Sequence, residues 1–289
     1  MITTRDRASS RNLRRRAMSA AAPCVAIVVS CMFAGCDAFD TISQDFSSLA
    51  KTIVPTTPSE AARMMVDQYN PDQRREGTLL IATSTFGGVD HYVQLYRFMA
   101  EHDTDPTVRA VAIRALARYG SVEDARLIAD QLKSDSDQVR WEAAKGLQRI
   151  HDPGVVPDIL AKLRDDEERV ETRIALADAL AQYPQDRVFQ GLILALDARE
   201  LSVNQTAERS LERLTGQSLG SDARTWLRWY NQQDVEQRFA GRSDYLFPTY
   251  SRRITFIERL AFWIPREWEQ PAPPAGLQLQ TRRETYQDQ

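Results

Sequence analysis

An internal repeat with a period of roughly 32 residues limits this chain to few architectures. Pro106-Thr107-Val108-Arg109, followed by Ala115-Leu116-Ala117-Arg118-Tyr119, recurs one period later as Asp137-Gln138-Val139-Arg140 and Gly146-Leu147-Gln148-Arg149-Ile150. Ala179-Leu180-Ala181-Gln182-Tyr183 lies one period beyond the second copy, and Ser210-Leu211-Glu212-Arg213-Leu214 one period further still. Between these segments runs a second series, in which Met99, Leu132, Leu163 and Leu196 keep the same period, as do Leu95, Ile128, Ile159 and Leu192. Within each segment apolar residues fall four apart, the spacing of an amphipathic helix. Each unit is therefore two helices. A helix pair of this length cannot bury its apolar stripes alone, so neighbouring pairs must stack on a continuous core. Only 12 glycines occur in 289 residues. Alanine, leucine, arginine and glutamate are plentiful, which favours helix over sheet.

The residue types narrow the class further. Asp-Pro-x-Val-Arg-x-x-Ala-x-x-Ala-Leu, from Asp105 to Leu116, resembles the HEAT-like repeat of the phycobilisome-lyase type. Asp105 suits a helix cap and Pro106 the first helical position. Val108 is expected in the core, and Ala112 and Ala143 let adjacent helices approach closely. The resemblance spans about residues 72–216 and is strongest in the copies starting at Asp105 and Ser136. It is weaker where Glu171-Thr172-Arg173 and Val203-Asn204 replace the Val-Arg pair. It implies an all-α fold, a short α-solenoid of two-helix HEAT-like repeats over 59–220. A capping helix is expected at 221–240, and an aromatic amphipathic segment with a disordered tail over 241–289.

The first 36 residues read as an export signal. Arg5, Arg7, Arg11 and Arg14-Arg15-Arg16 precede an apolar stretch that closes with Phe33-Ala34-Gly35-Cys36. A charged start, a short apolar core and a small-residue end are the marks of a secretory signal. The last four residues resemble a bacterial lipobox, with Phe33 where leucine is usual. That resemblance implies a signal peptide over 1–35, diacylation of the Cys36 thiol, and a lipoprotein held to a membrane of the cell envelope, facing the periplasm. An uncleaved helical anchor, an ordinary signal cut elsewhere and a twin-arginine route marked by Arg15-Arg16 are the competing readings. Residues 36–58 are polar and Ser/Thr-rich, a tether able to span about 70 Å when extended. Without residues 1–35 the formal charge moves from -3 to -8. A chain this acidic is a poor general binder of nucleic acid, whose affinity rests on Lys and Arg.

Enzymatic signatures are thin, and no catalysis, cofactor or metal is expected. Cys24, Cys31 and Cys36 are the only cysteines, so the repeat region has no thiol for a disulfide or a zinc site. His91, His102 and His151 make no His-x-x-x-His or His-Glu pair, and they read as surface or loop residues. The acidic pairs at Glu123-Asp124 and Asp165-Asp166-Glu167-Glu168 fall between helices or in first turns, where acids complement the helix dipole.

Two rows at equivalent repeat positions stand out. One reads Arg114, Lys145, Asp178, Arg209 and the other Arg118, Arg149, Gln182, Arg213. Stacked repeats align such rows along one face. They form either a groove for an acidic partner, with Trp141 as aromatic anchor, or simple C-terminal dipole partners. Beyond the repeats, Trp226 and Trp229 are expected to cap the last unit. Ile254, Ile257, Leu260, Ala261 and Ile264 form one helical stripe beside Trp263 and Trp268. That stripe suits the solenoid itself, a partner protein or a membrane surface. The sequence points to a partner-binding scaffold. A non-catalytic subunit of an envelope enzyme and a self-assembling envelope protein are the alternatives.

Overall fold

The computed structural model describes residues 56–249 and 270–278. The signal, the tether up to residue 55 with Cys36, Trp263 and the apolar stripe from Ile254 to Ile264 lie outside the described residues. Eleven α-helices and no β-strand occur among the described residues, and the chain is an all-α solenoid of stacked helix pairs.

The first pair is α1 (Pro58–Met65) and α2 (Pro71–Ala82), and the second is α3 (Asp90–His102) and α4 (Pro106–Tyr119). The third is α5 (Asp124–Asp130) and α6 (Asp137–Gly146). The fourth is α7 (Val156–Leu163) and α8 (Val170–Ala179), and the fifth α9 (Asp186–Ala195) and α10 (Leu201–Thr215). A final helix, α11 (Ala223–Gln232), packs on α9. The second helices α2, α4, α6, α8 and α10 touch one another in sequence and form one layer, with the first helices behind them.

The two apolar series identified by spacing face the core. Met99, Leu132, Leu163 and Leu196 are all at most 3% exposed, and Ile128, Ile159 and Leu192 are fully buried. The helix starts follow the expected chemistry. Asp105 accepts from the amides of Thr107 and Val108 ahead of Pro106, and Asn70 does the same for Asp72 and Gln73 ahead of Pro71. Ala112 and Ala143 are fully buried where the second helices meet. Polar side chains also cross that layer. Gln148 donates to the Ala175 carbonyl at 3.0 Å, Gln182 to that of Leu147 at 2.9 Å and Ser210 to that of Ala177 at 2.8 Å.

Arginines near the start of three second helices have a structural task that spacing alone did not reveal. Arg74, Arg140 and Arg173 each donate to a carbonyl at or just beyond the end of their own pair's first helix: Asp67 at 3.1 Å, Ser134 at 2.8 Å and Leu163 at 3.2 Å. Each also reaches a carboxylate of the next pair: Asp103 at 2.8 Å, Glu168 at 2.6 Å and Glu200 at 3.0 Å. One guanidinium thus ties off orphan carbonyls within a pair and pins that pair to its neighbour. In the fifth pair Asn204 keeps the first half of this role by donating to the Leu196 carbonyl. Glu168 and Asp124 therefore differ from their reading as helix-dipole acids. Both are buried, Glu168 held by Arg140 and Lys162, and Asp124 by Arg97 at 2.5 Å. Burial pushes the Glu168 carboxyl up, but Arg140, Lys162 and the Arg169 amide together bring it below its ordinary value.

Thr172 occupies the position of Val108, Val139 and Val203, and all four are fully buried. Its hydroxyl oxygen is buried without a hydrogen-bond partner. Thr172→Val keeps the shape and removes the unpaired hydroxyl, so it is expected to raise stability by about 1 kcal/mol. Urea unfolding followed by circular dichroism checks this, and a loss of stability would contradict the shared-slot assignment.

Candidate partner-binding groove

The two basic rows lie on the face made by the second helices. Arg114, Arg118, Trp141, Lys145 and Arg149 come together around one open cleft of about 470 Å³, which Glu142, Gln148 and Pro248 also line. Trp263, the remaining candidate, lies outside the described residues.

Glu142, one turn before Lys145, is 1% exposed and holds the floor of the cleft together. Arg114 is half-exposed and reaches both of its carboxylate oxygens, through Nε at 3.1 Å and through Nη2. That hydrogen bond raises the Arg114 guanidinium above its ordinary value. Lys145 lies 3.6 Å from the same carboxylate and its ammonium sits 4.1 Å from the centre of the Trp141 ring. Burial pushes the Lys145 ammonium down, with Glu142 opposing and Arg114 and Arg149 reinforcing the shift. The rows carried no hint of Glu142. An acid interrupting the apolar side of α6 one turn before the conspicuous lysine is the signal that marks it.

The fourth pair breaks both rows. Gln182 is buried, donating to the Leu147 carbonyl and facing His151 Nδ1 at 3.1 Å. Asp178 accepts from Arg213 at 3.2 Å and from the Tyr245 hydroxyl at 2.8 Å.

Tyr245 belongs to an extended strap that covers the far half of the face. Gly216, at φ 73°, ends α10, and a Cβ there would lie 2.2 Å from the Gly241 carbonyl oxygen, so chain crosses chain at a glycine contact. Ser243 then donates to the Arg213 carbonyl at 2.9 Å. Tyr245 is 2% exposed beneath Arg213, whose guanidinium sits 5.6 Å from the ring centre. Burial, and then the Asp178 carboxylate, push its phenol well above the ordinary value, so it remains a donor. Phe247 lies under Arg149 at 4.5 Å. Its amide donates to Ala272 at 3.0 Å, and Ala275 exchanges backbone bonds with Arg149 and His151 at 2.8 Å each.

Residues 270–278 fall within the stretch expected to be a disordered tail. In the structure they lie against the third pair, with Pro274 buried. They also sit over His151, which is half-buried and stacked on Tyr183 at 4.7 Å, while His91 and His102 are exposed as expected. Burial holds the His151 imidazole below its ordinary value.

Among the described residues no group of three or more His, Cys, Asp or Glu side chains is placed to hold a metal ion, and no helix is long and apolar enough to cross a membrane. No curated protein matches the chain. Among solved structures, a crystal structure of an engineered protein is similar at 18% identity and TM-score 0.40, over 52% of this chain and 77% of that one. The X-ray structure of YibA from Escherichia coli is similar at 16% identity and TM-score 0.31, over 61% of this chain and 81% of that one. Residues 125–212 match the family model for HEAT repeats, and the stacked helix pairs described above make the chain a short α-solenoid.

Proposed function

We propose that the protein is a partner-binding scaffold of the bacterial cell envelope, lipid-anchored through Cys36 and facing the periplasm, with the second-helix face as its binding surface. The cleft carries this reading: Arg114, Arg118, Lys145, Arg149 and the Trp141 indole line it together, with Glu142 held by Arg114 at its floor. HEAT repeats are in general protein-interaction modules, and the match over residues 125–212 supports a protein partner. The acidic remainder of the chain favours a partner whose contacting surface is acidic and local to this cleft, rather than a nucleic acid.

Two measurements test the reading. Cys36→Ser is expected to accumulate an unprocessed precursor that takes up no labelled palmitate. Normal maturation of that variant would sink the anchor. Affinity capture of the tagged full chain from detergent-solubilised envelopes is expected to recover a partner that Arg118→Glu loses by about tenfold. Equal recovery by both proteins would place the binding surface elsewhere.

A further inference from the structure

A second cavity, of about 560 Å³, lies between the starts of α6 and α8 and shares only Trp141 with the cleft. Asp135, Asp137, Arg169, Glu171 and Thr172 contribute to its walls. Thr172 is fully buried, and its hydroxyl oxygen has no hydrogen-bond partner among the described residues. Valines fill the same slot in three other pairs, so packing does not require that oxygen. A donor on a ligand would satisfy it. The charges favour a cation as that donor. Arg169 reaches Asp137 at 3.5 Å and Glu171 at 3.4 Å, and all three side chains are about half exposed. Asp137 also accepts from Arg140 at 2.6 Å, but Arg140 and Lys162 are offset by Glu168 and Asp165. The Asp135 carboxylate has no ion pair or hydrogen bond among the described residues. Three carboxylates therefore face Arg169 and two helix starts. Each helix start carries about half a positive charge, which leaves about one negative charge in excess. Trp141 adds an aromatic wall, and this indole already holds the Lys145 ammonium 4.1 Å from its ring centre.

We propose that this cavity binds a small organic cation, an ammonium group on an apolar stem. The ammonium sits among Asp135, Asp137 and Glu171 and donates to the Thr172 hydroxyl, while the stem lies against Trp141. The volume is that of a small-molecule site. Arg169 is the resident competitor, a cation of the chain itself held by two long, exposed contacts that are weak in water. The site does not depend on a protein partner at the cleft, so either can fail without the other.

The test is fluorine NMR of the detergent-solubilised full chain labelled with 5-fluorotryptophan, the Trp141 signal being the one lost in Trp141→Phe. Phenethylamine is the probe, with phenethyl alcohol and phenylpropanoate as the neutral and anionic comparisons. The Trp141 signal is expected to shift saturably with the amine at a Kd of about 1 mM, and at least about tenfold more weakly with either comparison. Asp135→Asn is expected to weaken the amine about threefold. Thr172→Val is expected to weaken it about fivefold while leaving the protein no less stable, which separates lost binding from lost folding. Arg169→Ala is expected to tighten it about threefold, because the competitor is gone. Equal binding of the alcohol, or unchanged affinity in Asp135→Asn or Thr172→Val, would overturn the proposal. So would weaker binding in Arg169→Ala, or no saturable shift below about 10 mM amine.

Discussion

Arg140→Ala is expected to lower the unfolding free energy by about 3 kcal/mol, because it strands a carboxylate inside the stack. Glu168 is fully buried at its side chain, and Arg140, itself 14% exposed, is its closest partner at 2.6 Å. Removing the guanidinium leaves Glu168 with Lys162 at 3.1 Å and the Arg169 amide. It also leaves the Ser134 and Asp135 carbonyls without the donor that ties off the first helix of the third pair. The nearby pair Arg169 and Asp137, at 3.5 Å with both partners more than half or about half exposed, supplies the contrast. Arg169→Ala is expected to cost under about 0.5 kcal/mol. Replacing both buried partners together, Arg140→Met with Glu168→Leu, is expected to recover most of the loss, since no charge is then left unpaired. Chemical unfolding of the four proteins checks the set. An Arg140→Ala cost no larger than that of Arg169→Ala would contradict the claim that these arginines pin one pair to the next.

Trp226→Ala is expected to cost about 4 kcal/mol, the range for deleting a large buried aromatic. Trp226 is fully buried, meets Phe189 of α9 at a ring distance of 6.4 Å, and donates its indole N–H to the Gly220 carbonyl at 2.6 Å. Tyr230, one turn on, stacks on the same Phe189 at 4.3 Å. Together they close the end of the stack, where no further helix pair covers the fifth among the described residues. Trp229, only partly buried, is expected to cost less when truncated. The measurement is denaturant unfolding read by circular dichroism, with dye binding to report exposed apolar surface. Loss of less than about 1 kcal/mol with no added dye binding would mean that α11 does not act as the cap.

The legible part of this fold was whatever repeats. Apolar side chains recurring once per unit fix which face of each helix is buried, and Asp105, Pro106, Ala112 and Ala143 have local reasons for their places. The solenoid and the layer carrying Arg114, Arg118, Lys145 and Arg149 followed from spacing alone. Contacts that bridge units did not. Arg140 and Glu168 are 28 residues apart, and nothing local distinguishes Glu168 from the three exposed or half-exposed acids before it. The strap escaped for a different reason. Tyr245 and Phe247 show no periodicity, and Pro274 sits in a composition typical of disordered chain. What fixes them is the pre-formed face of the solenoid, through Asp178, Arg149 and Arg213. A face assembled from separate helix pairs cannot be read in any one segment.

The most direct measurement of the central claim, that the second-helix face binds a partner protein, is site-specific photocrosslinking in intact cells. Benzoylphenylalanine replaces Trp141 in the cleft in one protein and Leu194, 60% exposed on α9, in another. The account predicts a discrete crosslinked product from position 141, lost when Arg118→Glu is added, and none from position 194. Crosslinks from position 194 with none from position 141 would contradict it.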